Sequence, residues 1–414
     1  METMFTIDTD AAVSRFMDLA TIPGKSGEEK AVMTRLIEIL SAAGVPEHCF
    51  AFDDAHTRTP GGGQIGNLIV RVPGTIAGPT TVLSAHTDTV PVCIGARPVQ
   101  DGDVIRNQLG EDGRSATGLG ADDRAGCAAM VTAAMELLRS NQPYAPFTLL
   151  FCIQEEIGLY GARYLNRETL GLVDRAFNFD GGSVEKLVCG AIGGERATIT
   201  VHGIAAHAGV APQMGVSAIV IASLAIASLH QNGWLGLVNK PGLFAEPQSC
   251  SGTANVGIFN GGDATNVITP LVKMRAEARS HNPAMRARII QEIQAAFEHA
   301  AASVTNDSGV SGCVEFKSTI EYEAFALPDD DASVIAGEAA VRAVIGDSGR
   351  TTYREISNGG LDANWLYRHG IGAVTLGCGQ QNIHTVDETL SIPAYLDACR
   401  IALHLIGNPP VVPS

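Results

Sequence analysis

Five places along this chain pair cation-ligating residue types with one kind of position. His86 follows the apolar run Thr81-Val82-Leu83-Ser84-Ala85, and Asp122 closes Gly118-Leu119-Gly120-Ala121 just ahead of a helical pattern. Glu155 and Glu156 follow Phe151-Cys152-Ile153-Gln154, Asp180 follows Ala176-Phe177-Asn178-Phe179, and His384 comes after the apolar run around Val374. Carboxylates gathered this closely protonate unless a cation joins them. Asp122, Glu156 and Asp180 bring three negative charges and the two neutral imidazoles none, so two Zn²⁺ ions and one bridging hydroxide balance the set. Mixed nitrogen and oxygen ligands suit zinc, and Co²⁺ or Mn²⁺ can substitute. Two ions ~3.5–4 Å apart need a bridging carboxylate, and Asp122 on its glycine-rich turn is the candidate, with Asp123 as its rival.

Neighbouring residues at a strand end point in different directions, so Glu155 and Glu156 cannot serve one ion alike. One ligates; the other faces the activated water, takes its proton and later delivers it to a leaving amine. Asp88, two residues after His86, fits an acceptor for the second ring nitrogen of that histidine.

These positions need a scaffold that brings strand ends together. Apolar strand patterns at 67–72, 80–85, 147–153 and 175–179 alternate with helical ones at 31–43 and 124–140. That alternation predicts an α/β catalytic domain with a mostly parallel sheet, whose sites form beyond the carboxyl ends of the strands. Near residue 195 the pattern becomes strand, helix, strand, strand, helix, strand: 197–202, 216–230, 252–259, 267–279, 283–303 and 313–322. This is the signature of a ferredoxin-like α+β module inserted into the first domain. The expected domains are 1–194 and 323–414 for the catalytic part and 195–322 for a lid.

Composition narrows the partners. Of 414 residues, 28 are Lys or Arg and 44 are Asp or Glu, a net charge of −16 that opposes a nucleic-acid or anionic membrane partner. No apolar run reaches the ~18 residues of a membrane span, and METMFTIDTDAAVSRF lacks the basic start of a signal peptide. Nine cysteines, an odd number without a C-x-x-C pair, read as free buried thiols of a cytoplasmic protein. Gly24-Lys25-Ser26 lacks the first glycine of a phosphate loop, and neither H-E-x-x-H nor G-x-S-x-G occurs.

The runs SAHTDTV, GLGADDRAG, QEEIGLYGA, NFDGG and NIHTVDE resemble, in order, the signatures of the co-catalytic zinc exopeptidases that include peptidase T, carboxypeptidase G and the aminoacylase-type amidohydrolases. The resemblance implies that His86, Asp122, Glu156, Asp180 and His384 are the metal ligands, that Glu155 is the general base, and that the Asp122–Asp123 peptide is cis. GADDRAG is nearest to the peptidase T pattern, with Arg124 in place of its lysine. His207 matches a lid histidine that stabilises the tetrahedral oxyanion, and Asn266 and Arg279 match lid positions that grip a substrate's polar end. The implied activity is removal of a residue from a short peptide, as by a tripeptide aminopeptidase. The alternative is an amidohydrolase or carboxypeptidase acting on N-acyl, N-carbamoyl or C-terminal amino acids, and a silent metal-binding scaffold is opposed by the presence of Glu155. The apolar helix VSAIVIASLAIASLH, starting at Val216, adds a possible homodimer through the lid at about 200–260.

Overall fold

Phe147–Cys152 reads Phe-Thr-Leu-Leu-Phe-Cys, and all six residues are buried. Thr81–His86 and Arg175–Phe179 are likewise buried throughout. A strand apolar on both faces belongs inside a parallel sheet covered on both sides. The computed structural model, which describes residues 6–246 and 250–407, places them so. Phe147–Cys152, Thr81–His86, Arg175–Phe179 and Ala373–Leu376 lie side by side and parallel, with antiparallel strands on the flanks. Helix Ala121–Arg139 packs on Thr81–His86 and Arg175–Phe179, and against helices Thr9–Ala20 and Ile392–Gly407.

The described residues divide into two compact units. One comprises residues up to Gly190, Ala326–Ser357 and those from Leu361 onward; the other comprises Ala191–Phe325 with Asn358–Gly360. The three-residue piece joins the second unit, where Asn358 Oδ1 lies 2.9 Å from His281 Nε2. The second unit is an antiparallel sheet ordered Gly236–Asn239, Ser251–Gly261, Leu271–Ser280, Gly193–His202 and Cys313–Tyr322. Helices Ala218–Gln231 and Pro283–Ser303 pack together over its apolar face, onto Ala197, Ile199 and Val201. The last four strands with these helices form the ferredoxin-like arrangement; Gly236–Asn239 is an additional edge strand that sequence patterning misses. The strand expected from residue 267 starts at Leu271, because Pro270 has no N–H to give the ladder.

The first unit also holds a small sheet of Pro98–Asp101, Val104–Asn107, Gln380–Gln381 and Thr389–Ser391. Segments of two to four residues carry no readable period, so this sheet has no clear mark in the sequence. Its function is positional: Gln380 pairs with Leu390 and Gln381 with Thr389, closing the loop that carries His384. No helix among the described residues is long and apolar enough to cross a membrane.

The approach of helix Ala121–Arg139 to the sheet depends on one missing side chain. A Cβ at Gly126 would lie 2.0 Å from the carbonyl oxygen of Phe179 and 2.6 Å from Asp123 Oδ1. Gly126→Ala therefore has to push the helix off the strand, at an overpacking cost of about 1–3 kcal/mol. Its thermal unfolding midpoint should fall measurably; an unchanged midpoint would show that helix and strand separate freely.

Candidate active site

Register brings the strand-end residues together. His86 pairs with Cys152, and Ser84 with Asn178, so Asp180 stands level with His86 on the neighbouring strand. After Cys152 the chain turns sharply at Gln154, whose φ is +51°, and presents Glu155 and Glu156 at the same edge. Asp122 arrives from the other direction. Gly120, with φ +75°, precedes helix Ala121–Arg139, and Asp122 and Asp123 break the helical dihedrals inside it. The Asp122–Asp123 peptide bond is cis.

The two aspartates face opposite tasks. Asp123 accepts from the backbone N–H of His86 and of Gly126, each at 3.1 Å, and so braces the strand end. Asp122 holds the centre. Its Oδ1 lies 3.0 Å from His86 Nε2, and its Oδ2 lies 3.1 Å from His384 Nε2. Asp180 Oδ1 stands 3.8 Å from His86 Nε2, and Glu156 Oε2 stands 2.9 Å from His384 Nε2. The result is two triads, His86–Asp122–Asp180 and Asp122–Glu156–His384, each with ligand atoms within 4.8 Å of one another and sharing Asp122.

Electrostatics describe a cluster that draws positive charge. Burial, with the charge of Asp122, pushes the Asp180 carboxyl well above its ordinary range. Burial also pushes Glu155 up, and Asp180, Asp362 and Glu156 add to it. Hydrogen bonds to Asp122 and Glu156 lift His384 to about 10. Burial works to lower His86, but Asp122 and Asp88 hold it well above its usual value. Glu156 Oε1 is buried without a hydrogen-bond partner. Three carboxylates, one of them with an unpartnered oxygen, and two imidazoles fit divalent cations, for which these groups would give up their protons.

Residues 82–408 match the profile of Peptidase family M20/M25/M40. The chain belongs to this peptidase family. It is 32% identical over 396 residues to the uncharacterized protein YqjE of Bacillus subtilis (strain 168), covering 95% of this chain and 97% of that one. A tripeptidase from Staphylococcus aureus superposes with a TM-score of 0.82 at 29% identity, over 97% of this chain and 98% of that chain. The aminopeptidase PepT from Bacillus cereus superposes with a TM-score of 0.80 at 30% identity, again over 97% and 98%.

Within this M20 chain, the other expected site residues make contacts beyond those that sequence reasoning gives them. Asp88 reaches His86 Nδ1 chiefly through its backbone oxygen, at 3.0 Å, with its carboxylate at 3.5 Å. That carboxylate instead accepts from the backbone N–H groups of Glu155 and Glu156, at 2.9 and 3.2 Å. It locks the acidic pair in place. In the second unit His207 and Asn266 come together: His207 bridges Val267, and Ala208 N–H donates to the carbonyl of Asn266. Arg279 does not join them. It lies on strand Leu271–Ser280, at the end away from Leu271, which pairs with His202. Its guanidinium is held by both oxygens of Glu277, at 3.1 and 3.2 Å.

Glu388 is the residue that sequence reasoning missed, although it ends the run NIHTVDE. It is buried, and its carboxylate accepts from the backbone N–H of Leu119, Gly120 and Asp122 at 2.7–3.0 Å. The Asp122 turn therefore hangs on the far end of the loop that carries His384. Gln380 and Asp362 are further buried neighbours. Gln380 donates to Asp122 Oδ1 at 3.4 Å, and the field of Asp362 raises Glu155 and Asp180. Glu388→Ala strands three buried N–H groups and releases the turn. Bound divalent metal should dissociate about 10–100-fold more readily from this variant. Metal retention through stepwise dialysis checks this, and wild-type retention would remove Glu388 from the site's support.

Proposed function

We propose that this protein is a di-zinc exopeptidase that cleaves short peptides, most specifically a tripeptide aminopeptidase. The observation that carries the reading is the Asp122 carboxylate, which offers one oxygen to each of two His-carboxylate triads. His86, Asp122 and Asp180 would hold one ion, and Asp122, Glu156 and His384 the other; Co²⁺ or Mn²⁺ could replace Zn²⁺. When bound, the pair polarises the scissile carbonyl and acidifies a water molecule. Glu155, beside the ligand Glu156 and fixed through its N–H by Asp88, takes the proton of that water and returns it to the leaving amine.

His207 supplies the oxyanion contact. Its Nδ1 accepts from the backbone N–H groups of Gly209 and Val210, at 3.2 and 3.1 Å, so the ring proton sits on Nε2 as a donor. Asn266, beside it, grips the peptide's polar end. Arg279 serves the same purpose once a substrate carboxylate displaces Glu277. The likeness to a tripeptidase and to PepT favours tripeptides over N-acyl amino acids. All nine cysteines are free and eight are buried, which supports a reducing, cytoplasmic setting.

We also propose a homodimer through the second unit. Ile219, Val220 and Leu224 stand exposed on helix Ala218–Gln231, as do Ile258 and Phe259 on strand Ser251–Gly261. Among the described residues, that strand pairs on its outer edge with Gly236–Asn239 only as far as Ala254. Apolar side chains beside an unpaired strand edge suit a symmetric partner.

A panel of tripeptides, dipeptides and N-acetyl amino acids, assayed before and after chelation, tests the activity. Tripeptides should turn over fastest, chelation should abolish turnover, and zinc, cobalt or manganese should restore it. Preference for N-acetyl substrates, or indifference to exhaustive chelation, would overturn the assignment. Glu155→Gln should keep about two ions per chain while kcat falls at least ~10²-fold; a variant near wild-type rate would remove Glu155 from the mechanism. Light scattering at micromolar concentration should give twice the 43.2 kDa chain mass, and an active monomer would exclude the dimer.

A further inference from the structure

The segment Ile22–Glu29 contains Gly24-Lys25-Ser26, which resembles a phosphate loop only superficially, and neither the ligands nor the base lie in it. It nonetheless bonds to three of the segments that carry them. Toward the His86 strand end, Thr89 N–H donates to the carbonyl of Gly24 at 3.0 Å, and Ser26 Oγ donates to Asp88 Oδ2 at 2.6 Å. Toward the Asp122 helix, the fully buried Arg124 donates from Nη2 to the carbonyls of Ile22 and Gly24, each at 3.4 Å. The fit there is close, because a Cβ at Gly24 would lie 2.7 Å from that Nη2. Toward the acidic pair, Glu29 Oε1 accepts from the N–H of Gln154 at 3.1 Å, while the N–H of Gly27 ties it to its own segment at 2.6 Å.

The last contact completes a pattern. Gln154, Glu155 and Glu156 expose three successive N–H groups where the strand has ended and the ladder no longer satisfies them. Glu29 takes the first, and Asp88 takes the second and third. Both acceptors are fully buried, so water cannot replace them, and their loss would leave the turn both unsatisfied and free to rotate. Gln154 is held at φ +51°, outside the conformations a non-glycine residue prefers. A turn of this kind keeps its shape only when its surroundings over-determine it.

We propose that Glu29 is a positioning residue for Glu155, and that the Ile22–Glu29 segment is the brace that sets the base relative to the ligand strands. This rests on reading Glu155 as the base. Glu29 touches neither water nor substrate in this role; it acts by fixing the backbone one residue before the base. A misplacement of about 1 Å in such a group can cost ~10²-fold in rate.

The test compares kcat, KM and bound metal for Glu29→Ala, Glu29→Gln and Glu155→Gln, and for Glu29→Ala in the Glu155→Gln background, using a tripeptide substrate. Glu29→Ala should lower kcat by about 10- to 100-fold with KM and metal content near wild type. Glu29→Gln keeps an acceptor oxygen and should recover most of kcat. In the Glu155→Gln background, Glu29→Ala should cost little more, because the group it positions is already gone. Wild-type kcat in Glu29→Ala, an equal loss in Glu29→Gln, or a full further loss in the double variant would each overturn the proposal. If Glu29→Ala does not fold, Ser26→Ala tests the same brace. It should lower kcat several-fold without raising KM, and an unchanged kcat would count against it. Activity in Glu155→Gln would instead overturn the base assignment, which keeps the two failures apart.

Discussion

One carboxylate, that of Asp122, faces two imidazoles at once, and most of the catalytic unit is arranged to make that possible. Glu156 and Asp180 crowd the same edge from the strands on either side of Thr81–His86, in surroundings that penalise uncompensated charge. Such a cluster has two ways to be stable: take up protons, or take up cations. The raised proton affinities of Asp180 and His384 show how strongly the cluster draws positive charge, and Glu156 Oε1 is buried in it without a hydrogen-bond partner.

The supports of the cluster follow a common rule. His86, Asp122, Glu155 and Glu156 sit where regular strand or helix geometry ends or breaks, and a buried carboxylate takes over backbone N–H groups there. Asp123 does this for His86, Asp88 for Glu155 and Glu156, and Glu388 for Asp122. These acids neither ligate nor react, yet each couples two loops that sequence separates by up to 269 positions. Rigidity of the centre is thereby shared among the His86, Asp122, Glu156 and His384 loops, so a change at one should be felt at the others.

How legible this was follows from what each element encodes locally. Arg175–Phe179, Ala373–Leu376, Pro283–Ser303 and Cys313–Tyr322 end where apolar runs or helical periods end, and their limits are readable. The ligand candidates were readable because parallel strands must put their carboxyl ends on one edge. Glu388 was not, because its function is to accept N–H groups 266 or more positions away, and an isolated glutamate carries no sign of that. Proximity in sequence ties Asp88 to His86, while the N–H groups of Glu155 and Glu156, from which its carboxylate also accepts, come from a segment that proximity does not reveal. The Arg279–Glu277 ion pair is legible in the same way, since two-residue spacing puts both on one face of their strand.

The shared carboxylate is tested most directly by counting ions in single-ligand variants. Wild-type protein saturated with zinc and desalted should retain two ions per chain by elemental analysis. His384→Ala should retain one, since only the Asp122–Glu156–His384 triad is broken. Asp122→Ala should retain almost none, because it removes a ligand from both sites. Retention of a full ion by the Asp122 variant, or loss of both by the His384 variant, would contradict a centre built on one bridging carboxylate.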